Sequence, residues 1–190
     1  MAIQERIGMP LADFIRWSSE APFELIDGQV VPRMPTVSGH NKASKRIFML
    51  LVPFEAEGLG EVFQEATYVL TDAPDWVRGS RIPDVMFVSA AKLKQFEESI
   101  PDADSKPYIL VPDIAVEVVS PTDSYSDIDA RVSRYLQDGV LLIWIIDPQR
   151  QKVAVHQLGS DQQANLEGDA ILDGGAVLPG FKVAVKEIFA

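Results

Sequence analysis

At 190 residues the chain is long enough for one domain with a substantial core, and no apolar run approaches the roughly 18 residues of a membrane span. It contains no cysteine, which excludes disulfides and thiolate metal sites. Its net charge of −11 argues against a broad basic face for nucleic acid, although a site built from carboxylates would add to the same negative sum.

The opening Met1-Ala2-Ile3-Gln4-Glu5-Arg6 is polar and mixed in charge, unlike a signal peptide, so the expected location is cytoplasmic, away from any membrane. Leu11, Phe14, Ile15 and Ser18 then follow helical spacing. Phe23 to Val31 reads as a hairpin about Asp27-Gly28, a pair suited to the two positive-φ positions of a tight turn. From Ser38 to about Glu57, Ile47, Leu50, Leu51 and Phe54 predict a helix that Pro53 kinks or shortens and Gly58 and Gly60 end. Glu61 to Leu70 alternates as one strand, and Thr71 to Arg81 reads as a loop. The strand Ile82 to Val88, a helix over Ala90 to Glu98 and a polar loop to Pro107 follow.

Ile114 to Val119 is a short, β-branched strand closed by Ser120-Pro121. Ile128, Val132, Tyr135 and Leu136 mark one face of a helix that ends at Gly139. Leu141 to Ile146, the most hydrophobic strand, is expected to be central and to pair with Lys152 to Gln157. Short strand-like pieces complete the tail from Ile171 to Ala190. The expected fold is α/β (α+β), a mixed β-sheet flanked by helices, in one domain over residues 1–190.

Two acids break this pattern. Glu117 lies inside the Ile114–Val119 run and Asp84 heads the Ile82–Val88 run, where an ionised carboxylate needs a cation, a proton or strong donors. If these strands are neighbours, both carboxylates can reach one Mg²⁺ or Mn²⁺ at the sheet end, with the Val118 carbonyl as a further ligand. The following helix offers Arg131 as a cation beside the metal.

Pro83-Asp84-Val85 followed by Glu117-Val118-Val119-Ser120-Pro121 resembles the PD-(D/E)XK nuclease pattern, in the variant with Val for the Lys of E-X-K. More closely, the chain resembles the Uma-two family of endonucleases, nearly end to end. Phe23-Glu24-Leu25-Ile26-Asp27-Gly28, Ser38-Gly39-His40, Gly139-Val140, Ile143 to Pro148, Leu178-Pro179-Gly180-Phe181 and Glu187-Ile188-Phe189 carry the likeness in order. The resemblance implies a restriction-endonuclease-like core, DNA as substrate, and Mg²⁺ on Asp84 and Glu117. It also implies a helix lysine four residues before a tyrosine; counting back from Tyr135 gives Arg131, which keeps the charge but is forked and does not deprotonate. Asp127, matching an acid of the same family helix, could hold its guanidinium. Fold analogy alone suggests a homodimer.

Each site residue has a structural alternative. The two acids could simply accept backbone or arginine hydrogen bonds, and Arg131 could be a surface group. His40 could cap or pack a helix start, and Glu24 could face water. The second functional reading is a degenerate nuclease fold acting as a binding or oligomerisation module. Trp17, Trp76 and Trp144 read as core or interface residues, Asp123 and Asp129 as residues that cap or solvate the helix after Glu117, and Lys42-Lys45-Arg46 as a solvated helix face with phosphate contact as its alternative.

Overall fold

The computed structural model describes residues 6–190; Met1 to Glu5, which carried the reading of the N-terminus, lie outside the described residues. β1 (Met9–Pro10) and α1 (Leu11–Glu20) precede the hairpin β2 (Phe23–Ile26) and β3 (Gln29–Pro32). Asp27 and Gly28 have φ of 51° and 80°, the two positive values that this turn demands. α2 (Ser38–Leu51) stops just before Pro53, which instead opens the single turn α3 (Pro53–Ala56). At a first helical position the missing proline N–H costs nothing, because that group would have no partner within the helix.

The main sheet has six strands: β4 (Gly60–Gln64), β7 (Val85–Ser89), β8 (Ile114–Val118), β9 (Leu142–Asp147), β10 (Lys152–Gln157) and β11 (Ala164–Glu167), side by side in that order. Only β8 and β9 run parallel; the other neighbours are antiparallel. A parallel pair needs a crossover, and α5 (Tyr125–Asp138) supplies it. The side chain of Ser124 accepts from the Asp127 N–H while Asp127 accepts in return, a capping box that starts α5, and Gly139 at φ 98° ends it.

Side-chain alternation assigns β8 to two cores. Ile114, Val116 and Val118 pack with Ala43, Ile47 and Leu51 of α2, where Trp144 stacks on Phe181 of the tail at 5.0 Å. Ala115 turns the other way, toward Val132 and Tyr135 of α5 and Leu93 of α4 (Ala90–Ser99). By the same alternation Glu117 faces α5. The tail forms β12 (Ile171–Asp173) with β13 (Lys182–Ala184). No helix among the described residues is long and apolar enough to cross a membrane.

Two expectations fail between Glu61 and Arg81. The single strand predicted there is divided at Glu65, which has φ 50°, into β4 of the main sheet and β5 (Tyr68–Ala73) of another. The predicted loop is largely β6 (Trp76–Arg81), paired with β5 and with β1. Its polar residues concealed it: Ser80 and Arg81 are buried because Ser80 accepts from the Leu25 N–H at 2.8 Å and Arg81 pairs with Asp138. Trp76 thus lies in a strand, its indole donating to the Ile7 carbonyl at 2.9 Å. Trp17, expected in a core or interface, is 45% exposed.

Trp144→Ala should lower unfolding free energy by about 3–5 kcal/mol in urea titrations, whereas Trp17→Ala should change it by about 0.5 kcal/mol or less. Equal losses would contradict this core.

Candidate active site

β7 and β8 pair antiparallel with Val85 opposite Val116, so one further step sets Asp84 opposite Glu117 at the end of the sheet. Both acids are buried, at 2% and 3% exposure, and both line a cavity of about 340 Å³ with Glu24, Arg33, His40, Val118, Asp123, Asp127 and Arg131. Asp84, Glu117, Val118, Arg131, Glu24, His40 and Asp127, the candidate site residues of the sequence, therefore meet in one cleft. The two strands supply the acids, the hairpin supplies Glu24, and the segment after it supplies Arg33. α2 supplies His40, and α5 supplies Arg131.

Asp84 sits in a ring of donors. Arg33 Nη2 donates to Oδ1 at 2.9 Å, while Oδ2 accepts from the Val118 N–H at 2.7 Å and lies 3.0 Å from His40 Nε2. Burial alone would raise the Asp84 carboxyl, but His40, the Val118 amide and Arg33 outweigh it and hold it below its ordinary value. His40 moves the other way. Burial opposes the imidazolium, yet its bond to Asp84 raises it above the usual histidine range.

Glu117 is less well compensated. Its Oε1 accepts a short hydrogen bond from the Tyr135 hydroxyl, and its Oε2 lies 3.5 Å from Arg131 Nη1. Burial, reinforced by the charge on Asp84, pushes Glu117 up to about 8 despite the nearby guanidinium groups of Arg131 and Arg33. The site lacks enough positive charge to ionise both acids comfortably at neutral pH. Tyr135, wholly buried against Glu117, is pushed well above the ordinary phenol range and stays a donor.

Arg131 and Tyr135 lie four residues apart, one above the other on α5, and both reach Glu117. The guanidinium is held by Asp123, with Nη2 donating to Oδ1 at 2.8 Å. This corrects two expectations. Asp127 lines the cleft, but its carboxylate is committed to the Ser124 capping box. Asp123, read as a cap, is the acid that steadies Arg131. Glu24 does not simply face water: its Oε1 accepts from the Ile82 N–H at 2.8 Å and fixes the approach to Asp84. His40 is a buried partner of Asp84 rather than a cap. Arg33 was missed, since nothing in its sequence neighbourhood marks it before the hairpin is docked.

The donor set suits a hard divalent cation. No group of three or more His, Asp or Glu side chains converges among the described residues. A cation here would rely on two carboxylates, the Val118 carbonyl, water and substrate oxygens, the pattern Mg²⁺ accepts. A carboxylate offers about four lone-pair positions. Asp84 engages three donors and Glu117 two, so both retain capacity.

The family model for Uma2, described as "Putative restriction endonuclease", matches residues 11–186. The chain belongs to the Uma2 family. Among solved structures this Uma2 chain is similar to "a putative nuclease belonging to DUF820 from Anabaena variabilis ATCC 29413", with a TM-score of 0.76 and 18% identity. That similarity covers 95% of this chain and 97% of the other, and at such identity it establishes the nuclease-like fold alone. No curated protein matches. Within this Uma2 fold the cleft lies at the end of the β7–β8 pair, between the N-terminus of α2 and the middle of α5.

The raised Glu117 has a measurable consequence in metal-free protein. The folded chain keeps a proton that the unfolded chain releases, so stability falls as pH rises from 4.5 to about 8 and then levels. His40, also raised, adds loss of stability as pH climbs beyond 6.5, whereas Asp84, lowered, loses its contribution only on acidification below 3.8. Thermal melts of Glu117→Gln should therefore be flatter than wild type between pH 4.5 and 6.5. Identical pH slopes for the two proteins would contradict the assigned protonation.

Proposed function

We propose that this chain is a divalent-cation-dependent endonuclease that hydrolyses DNA phosphodiester bonds in the Asp84–Glu117 cleft. The supporting observation is the cross-strand pair of buried acids, of which Glu117 is pushed up to about 8 by burial and by the charge on Asp84. Asp84, Glu117 and the Val118 carbonyl would hold Mg²⁺ or Mn²⁺. Bound there, the cation would supply Lewis-acid polarisation of a phosphoryl oxygen and acidify water.

The remaining side chains act on charge and position. Hydrolysis adds a water oxygen to phosphorus, breaks one P–O ester bond and passes a proton to the departing alkoxide. Negative charge grows on the phosphoryl oxygens during this exchange, and Arg131, oriented by Asp123, is placed to stabilise it. Burial opposes the charged guanidinium, but Glu117 and Asp123 more than offset this, so Arg131 keeps its proton and cannot serve as a base. Arg33, bonded to Asp84, offers a second guanidinium in the same cleft. His40 and the Val118 amide fix the Asp84 carboxylate, and Tyr135 fixes that of Glu117. Arg33 and Arg131, which pair with Asp84 and Glu117 in the metal-free cleft, would turn toward phosphate oxygens once the acids share a cation.

A second reading follows from the same ring of donors. Because each carboxylate already has protein partners, the cluster could serve as a structural network in a binding module without catalysis. Calorimetric titration separates the two readings. Wild type should bind Mn²⁺ or Mg²⁺, and Glu117→Ala should not. With metal bound, plasmid nicking should fall by about 100-fold or more in Arg131→Ala and survive in Arg131→Lys. Absence of metal binding by wild type would overturn the nuclease reading and favour the module.

A further inference from the structure

The outer face of α2 carries charge that the cleft does not use. Most of the 17 lysines and arginines are ion-paired among the described residues, as expected in so acidic a chain. Lys42, Lys45 and Arg46 are exposed, and no acidic side chain lies within ion-pair distance of them among the described residues. They line a cavity of about 590 Å³, larger than the acidic cleft, which includes Met49 and Ile188 and contains no Asp or Glu side chain in its wall. Arg46 is anchored there, its Nε donating to the Glu187 carbonyl at 2.8 Å. This bond leaves its two terminal nitrogens without a hydrogen-bond partner among the described residues.

The position of this groove links it to the cleft. Gly39 lines the groove and the next residue, His40, lines the cleft. With a rise of about 1.5 Å per residue, Lys42 to Arg46 lie within roughly 10 Å of His40 along α2. A polyanion bound in the cleft would continue onto this helix face. The N-terminus of α2 has no acid in its first turn and no side-chain cap, which adds positive potential where the two cavities meet.

Resting on the nuclease reading above, the geometry points to Lys42, Lys45 and Arg46 as a docking track for the phosphodiester backbone of duplex DNA flanking the bond that is cut. Charge complementarity selects this occupant: three unpaired cations on a chain of net charge −11 attract an anion, and phosphates repeated along a strand can meet all three. Met49, exposed between them, gives an apolar surface for the sugar faces. The track positions DNA and takes no part in the chemistry.

The test measures binding of a fluorescein-labelled DNA duplex by anisotropy, in EDTA and in Ca²⁺, across 50–200 mM KCl (about the physiological range). The proteins compared are wild type, K42A/K45A/R46A, and the control K94A/K152A/K182A, which removes equal charge from paired surface sites. The track variant should bind about 10-fold or more weakly, with its salt slope reduced by about 2 to 3, since each phosphate contact contributes about 0.9. The control should retain the wild-type slope. Equal slopes for wild type and track variant would overturn the inference, as would wild type that binds no duplex in either buffer. Capture of phosphatidylserine vesicles abolished by the track substitutions, with duplex binding unchanged, would assign the groove to a lipid surface and also overturn it. Wild type that binds through the track yet never nicks plasmid in Mg²⁺ would sink the nuclease reading while leaving the track intact.

Discussion

Two carboxylates facing each other across the β7–β8 pair, both out of water, are the constraint around which the rest of the cleft is arranged. Bringing both ionised acids into such a place is costly unless each gains several strong donors. The chain supplies them from four directions. A guanidinium comes from the segment after the hairpin and an imidazole from α2. A backbone amide comes from β8 itself, and a guanidinium and a phenol come from α5. The division is unequal. Asp84 is stabilised as an anion while burial and the charge on Asp84 hold Glu117 up, so one site holds two acids with opposite shifts. Environments that drive a pair of titratable groups apart in this way are typical of sites that bind or transform a ligand.

The topology explains why these donors arrive together. The one parallel pair in the sheet forces a crossover, and the crossover helix must cover the face toward which Glu117 turns. Its start is fixed by Ser124 and Asp127 and its end by Gly139, so the rotation of α5 is set by backbone requirements at both termini. Arg131 and Tyr135 then fall above Glu117. Farther along, Asp138 accepts from Tyr68 at 2.8 Å and pairs with Arg81, tying α5 to the smaller sheet that also carries the hairpin. Ser80 holds that hairpin through the Leu25 amide, and Glu24 reaches from it to the Ile82 amide. Polar residues buried in β6 are thus the link between the hairpin, which brings Arg33, and the helix, which brings Arg131.

What the sequence revealed depended on how local each signal was. Asp27-Gly28 announced its turn because only a few residue types tolerate two positive φ values in succession. Glu117 stood out because an apolar strand accepts an acid only under special conditions. The β5–β6 hairpin was hidden because its buried positions are Ser80 and Arg81, whose partners lie on other elements; Pro74-Asp75 was the turn signal that could have revealed it. Helical spacing made Asp127 the natural partner of Arg131, yet the N-terminal cap claimed it, and Asp123 in the preceding turn took its place. Arg33 had no local signature: its role exists only once the hairpin is packed against the end of the sheet.

In the proposed nuclease, Asp84 and Glu117 share one hard cation. Crystals soaked in Mn²⁺ and measured at the manganese absorption edge test it most directly. A single anomalous peak is expected between the two carboxylates, within about 2.0–2.6 Å of an oxygen from each, with the Arg33 or Arg131 guanidinium displaced from its acid. An empty cleft with both guanidinium groups still paired, at metal concentrations that occupy other sites, would contradict it.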